Sequence, residues 1–208
     1  MTLPKSHLLL ITGAVLASAA CNTQKAATNT AENATTTTAT NTATTVTNTA
    51  ATNSGDPIQS AMSAAPASIA ADATIVMANA DGTMKTLREG KNGWTCLSDA
   101  PTTPGPDPMC MDANASTWVT AMLGHQPPPA NTVGLMYMLE GGTDASNSDP
   151  YATAPSADND WVKTGPHIMV VGSQDLLKGY PAGAKPDTKS PYVMWAGTPY
   201  AHLMVPVG

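Results

Sequence analysis

Apolar positions are spaced unevenly along this chain, and their spacing divides it into three parts. Residues 8–20, "LLLITGAVLASAA", form a nearly unbroken apolar run. From Cys21 to Gly55 the chain is almost entirely Thr, Ala and Asn, without any apolar period. From Asp56 to Gly208, short apolar stretches alternate with turn residues, as in a folded domain. There, "DPIQSAMSAAPASIAADA" puts Ile58, Met62, Ala65 and Ile69 on one helical face. Asp56 suits the cap and Pro57 the first helical position, and Pro66 predicts a kink or split. "TIVMANADGTMKTLREGKNGWTCL" predicts three strands joined by hairpin turns at Asp81-Gly82 and Asn92-Gly93. "DANASTWVTAMLG" predicts a helix capped by Asp112 or Asn114 and stopped at Gly124. "VGLMYMLEG" lacks clear alternation, which predicts a strand buried on both faces.

The C-terminal third reuses one unit. "PHIMVVGS" (166–173) and "PYVMWAGT" (191–198) share a strand-plus-turn pattern. The first is followed by "SQDLLKG", a candidate short helix capped by Ser173. The second is followed by "PYAHLMVPV", a further strand. Two copies fall short of a repeat architecture. The expectation is therefore an α+β fold for residues 56–208. It is a single domain with a mostly antiparallel sheet of about five to seven short strands and two or three short helices, preceded by a disordered linker.

The first twenty residues read as a signal peptide. Lys5 and the amino terminus supply its positive region, and its apolar core of about thirteen residues is too short to span a bilayer. Cys21 directly after "SAA" is similar to the lipobox of bacterial lipoproteins, in which that thiol is acylated. Ser18 stands where the lipobox usually has Leu, Val or Ile, and the same residues suit ordinary cleavage and secretion. Residues 21–55 cannot bury enough apolar surface to offset the entropy of ordering, so they read as a tether. Random-coil scaling gives a segment of that length a mean span of roughly 30–35 Å. The implied location is the bacterial cell envelope, anchored to the membrane by lipid on Cys21 and facing the periplasm or exterior. If Cys21 is not lipidated, the protein is secreted.

Charge narrows the partners. Only 12% of residues are charged and the net charge is −6, so no basic surface is available for nucleic acid or anionic lipid. With Cys21 lipidated, Cys96 and Cys110 remain as an even pair in an exported protein. A disulfide fits the oxidising compartment. The alternative, a thiolate metal site, lacks any CxxC spacing. The blocks "NGWTC", "DPMCMD", "YMLEGG", "SNSDPY" and "PYVMWAGTPYAHLMVPV" resemble stretches of exported bacterial proteins, lipoprotein-like and without assigned function. That resemblance spans most of the chain from Asp56 onward and implies an envelope context, but no chemistry.

Candidate chemistry centres on methionine. The chain has twelve Met and no Phe. "MCM", "MYM", "HIM" and "HLM" each place two side chains on one face of a strand. His167, Met169, His202 and Met204 offer imidazole and thioether, the donors Cu(I) selects. The alternative is that Met fills a core that has no Phe, and on that reading residues 191–207 form a core hairpin. The polar stretch 142–165 is long for a compact domain. Asp149, Tyr151, Asp158, Asp160 and Trp161 are its candidate ligand residues, although no calcium-loop spacing occurs. No nucleophile elbow, zinc-protease, phosphate-loop or dinucleotide motif is present. The sequence thus favours a non-catalytic envelope protein binding a protein or small molecule, without a cofactor. Its alternatives are a Cu(I)/Ag(I)-binding protein and a hydrolase with an unrecognised site.

Overall fold

The computed structural model describes residues 55–100, 103 and 105–208. The expected signal peptide, Cys21 and the tether as far as residue 54 lie outside the described residues. The chain runs through α1 (Pro57–Ser63), α2 (Ala67–Ala70), β1 (Thr74–Ala78), β2 (Met84–Arg88), β3 (Thr95–Leu97) and β4 (Met109–Met111). It continues with α3 (Ala113–Leu123), β5 (Gly134–Met138), β6 (Ala145–Ser146), β7 (Trp161–Val162) and β8 (His167–Val171). After a 3-10 turn at Gln174–Leu177 come β9 (Tyr192–Met194) and β10 (His202–Pro206). Eight strands form one sheet in the order β2-β1-β3-β4-β5-β8-β10-β9, and β6 and β7 form a two-stranded ribbon. This is the single α+β domain with a mostly antiparallel sheet and short helices that the pattern implies. Pieces of two or three residues, too short to leave a period in the sequence, raise the strand count above expectation.

Local signals set the helices. The Asp56 carboxylate accepts from Ile58 N, and Pro57 opens α1. Pro66 ends that segment and starts α2. Asp112 caps α3 by accepting from Ala115 N at 2.7 Å, and Gly124 closes it.

Two expectations about strands are corrected. The Asn92-Gly93 turn does not make a hairpin between β2 and β3. Instead β3 lies parallel to β1 on the side opposite β2, with Thr74 opposite Thr95. The connection crosses the start of β1 in close contact. A Cβ on Gly90 would stand 2.1 Å from Thr74 N, so this crossing requires glycine. Nor is β5 buried on both faces. Gly134, Met136 and Met138 are buried, whereas Leu135 is exposed and Tyr137 half-buried, because α3 covers only one face.

The two sheet faces have different cores. Against one pack α1 and α2, where Ala61, Ala64, Ile75, Cys96 and Cys110 are fully buried. Cys96 and Cys110 oppose each other across β3 and β4 and form a disulfide. The other face gathers Met111, Met136, Met138, Met169, Met194 and Met204 under α3. Helix α3 approaches β5 so closely that a Cβ on Gly134 would meet Ala115 N at 2.4 Å.

Candidate functional site

Alternation along the strands builds the methionine face. In the register, Met111 faces Met136, Met136 faces Met169, and Met169 faces Met204. On β9, Met194 faces His202. Thioethers therefore run across adjacent strands as one band. The band floors a groove of about 530 Å³ that crosses the sheet from β2 to β10. Met138 from β5, Met84 from β2, Met109 from β4 and Met122 from α3 complete the set, so nine of the twelve methionines line one cavity. Trp118, Val119 and Met122 of α3 roof it, and Met84 and Leu123, both more than half exposed, stand at its solvent end.

Few polar groups enter this wall, and three of them lack partners. Ser116 Oγ, Trp118 Nε1 and His202 Nε2 make no hydrogen bond among the described residues. His202 is 1% exposed. Its Nδ1 lies 3.0 Å from the Tyr200 carbonyl oxygen, which can only accept, so Nδ1 carries the proton and Nε2 the lone pair. His167 repeats the arrangement, with Nδ1–H donating to Gly165 O at 2.7 Å. Burial pushes the pKa of His202 down to about 4, and burial lowers that of His167 as well. Both rings are therefore neutral at physiological pH. Asp107, the one lining carboxylate, is held above its ordinary pKa mainly by burial, with Asp99 adding to the rise.

The aromatic end of the groove is rigidly held. Trp195 stacks parallel to Trp118 at 6.3 Å, and His202 stands edge-on to both rings. Trp195 has φ +56°, a left-handed conformation that is costly for a bulky residue. Two hydrogen bonds hold it there, from Trp195 N to Asn147 O and from Trp195 Nε1 to Ser146 O, each 2.8 Å.

All four residues read from the sequence as copper ligands line this cavity. The register sets Met169 opposite Met204 and offsets the histidines along the strands, with His167 still near enough to add slightly to the lowering of the His202 pKa. His167 lies opposite Pro206, four residues beyond His202 on β10. At the usual strand rise that is a backbone offset of about 13 Å. At the backbone level the two histidines are therefore offset rather than opposed. Among the described residues, no three His, Cys, Asp or Glu side chains gather as a metal-binding group.

The long loop contributes differently from its candidate residues. Asp149, Tyr151, Asp158, Asp160 and Trp161 all lie off the cavity wall, which the loop lines with Gly142, Thr143, Ala145 and Thr164. Asp149 caps Tyr151 N, and Tyr151 stacks on His125 and donates its hydroxyl to Met122 O. Asp158 is exposed. Asp160 accepts from Asn147 N, and Trp161 pairs with Ser146. The residues that organise the loop are Ser146, Asn147 and Asn159, all buried. No motif or spacing in the sequence marks these, or Ser116, as site residues. The signal for the cavity itself was present in the repeated Met-X-Met spacing, extended to Met194.

Compared with protein-family models, curated proteins and solved structures, the chain matches none.

Proposed function

We propose that this chain is an exported, lipid-anchored envelope protein whose folded domain binds a small ligand without chemical turnover. The observation that carries the reading is the cavity of about 530 Å³ lined by nine methionines, with an unpartnered imidazole nitrogen on its wall. A core that used Met only as filler would close around it, because protein interiors are close-packed. A groove with apolar walls and few polar groups is the usual form of a small-molecule site. The export reading rests on the apolar run before Cys21, on the disulfide and on the resemblance to exported bacterial proteins. No observation favours the hydrolase alternative. Both cavity histidines donate Nδ1–H to backbone carbonyls, which leaves no carboxylate-oriented base.

An environment-sensitive apolar dye tests the cavity. Saturable one-to-one binding is expected, and Met122→Trp, which fills the groove from its roof, abolishes it. A folded wild type without saturable binding overturns the reading. Labelled palmitate tests the anchor in a bacterial host. Incorporation that disappears in Cys21→Ser is expected, and a wild type that takes up no label is secreted.

A further inference from the structure

The unpartnered nitrogen of His202 asks for a ligand of defined chemistry. A buried acceptor without a partner is costly. Apolar packing explains the thioethers around it but not the bare Nε2. Met194 faces His202 directly across β9 and β10, and Met204 lies two residues further along the same face of β10. Directly opposed strand residues have Cβ atoms about 4.5–5.5 Å apart, within reach of one ion for side chains of this length. Imidazole with two thioethers is a soft donor set that favours a monovalent d10 cation, whereas hard cations are held by several oxygen ligands. The donor of Nδ1–H to a backbone carbonyl is also the usual support of a metal-binding histidine, since it fixes the tautomer and the ring orientation.

A second, independent observation lies beside it. The Trp195 ring is 4.8 Å from the imidazole between centroids, and its left-handed backbone persists because Ser146 and Asn147 hold it. Strain kept in place by neighbouring contacts concentrates at binding sites. An indole face also attracts a cation.

We propose that this end of the cavity binds one Cu(I) or Ag(I) ion through His202 Nε2, Met194 and Met204, beside the Trp195 ring. The site deepens the cavity reading above and depends on it. It differs from the four-residue set suggested by the sequence, because the register places Met194 directly opposite His202, whereas His167 is opposite Pro206.

The test uses the full chain carrying Cys21→Ser, which removes the one thiol outside the disulfide. Ag(I), and Cu(I) under anaerobic reducing conditions, are titrated while Trp fluorescence and the Cε signals of labelled methionines are followed. One equivalent is expected to quench fluorescence and to shift the Met194 and Met204 methyls. Met194→Leu and Met204→Leu, close in volume, are each expected to weaken binding at least tenfold, and His202→Gln to abolish it. Met77→Leu, a methionine off the cavity wall, is expected to leave binding unchanged. Absence of saturable binding, or affinity unaltered in both leucine variants, overturns the metal site. If the apolar dye still binds in that case, the cavity reading survives and its occupant is an organic molecule. If neither metal nor dye binds, both fall.

Discussion

The imidazole of His202 stands edge-on to the indole of Trp195, with ring centroids 4.8 Å apart and planes at 75°. Trp118 stands edge-on to it as well, at 5.6 Å, so the fully buried imidazole packs against two indoles and its protonation is unfavourable. That enclosure makes folding sensitive to acid. In the folded protein burial lowers the pKa of His202 to about 4, against 6.5 when unfolded. The unfolded chain therefore takes up its proton first as the pH falls. Stability is full above about pH 6.5, declines as the pH drops toward 4, and levels off below. The total loss is on the order of 3 kcal/mol, and His167, lowered in the same direction, adds to it. Urea midpoints at several pH values should show this slope in wild type and a flatter one in His202→Gln. Equal slopes would show that His202 is not the titrating group.

The disulfide ties β3 to β4 beneath α1, in the core on the face opposite the groove. Cys96 and Cys110 are 14 residues apart, and the chain-entropy model gives closure of a loop of this size about 3 kcal/mol. The double variant Cys96→Ala, Cys110→Ala is expected to unfold at correspondingly lower denaturant. Dye binding to its folded fraction is expected to persist, since neither cysteine lines the cavity. Denaturant unfolding combined with dye titration checks both parts.

How much of this was legible depends on the range of the forces involved. Asp56, Pro57, Pro66, Asp112 and Gly124 act on their own helices within a few residues, and each did what its local chemistry indicated. The Asn92-Gly93 turn looked equally local. Yet the course of the chain there depends on Gly90 fitting against Thr74, a contact 16 residues away in sequence. The band of methionines was visible as i, i+2 pairs on separate strands. Which pairs become neighbours is set by strand order, and that order put Met194 rather than His167 beside His202. The loop carboxylates drew attention because they are charged, but solvated carboxylates need no partner. The buried side chains of Ser146, Asn147 and Asn159 do need partners, and satisfying them shapes the loop. The left-handed backbone of Trp195 had no signal at all, since its sequence offers neither Gly nor Asn at that position.

Asp112 joins α3 to the sheet. One carboxylate oxygen accepts from Ala115 N at 2.7 Å and the other from Leu135 N at 3.0 Å. Replacing it with Ala removes the helix cap and also a tie to β5. A cap alone contributes about 1 kcal/mol, and loss of the second bond adds a comparable amount. Asp112→Ala is therefore expected to cost about 2 kcal/mol in denaturant unfolding, with Asp112→Asn retaining part of it. A loss no larger than that of an exposed substitution such as Asp158→Ala would refute the double role.

Gly134 sets the height of the cavity roof. It lies on β5 two residues before Met136, and α3 passes directly over it, with Ala115 N 2.4 Å from where a Cβ would be. The obstruction is backbone, so no side chain can rotate away and α3 itself has to move. Overpacking of this kind costs about 1–3 kcal/mol. Because Trp118 and Met122 ride on the same helix, a shift at Ala115 also carries the roof away from the methionine floor. Gly134→Ala is thus expected to lower stability and to weaken dye binding together. Gly183→Ala, where a Cβ meets nothing within 4 Å, is expected to change neither. Denaturant unfolding and dye titration on the two variants decide the matter: unchanged dye affinity in a destabilised Gly134→Ala would mean that the position of α3 does not control the groove.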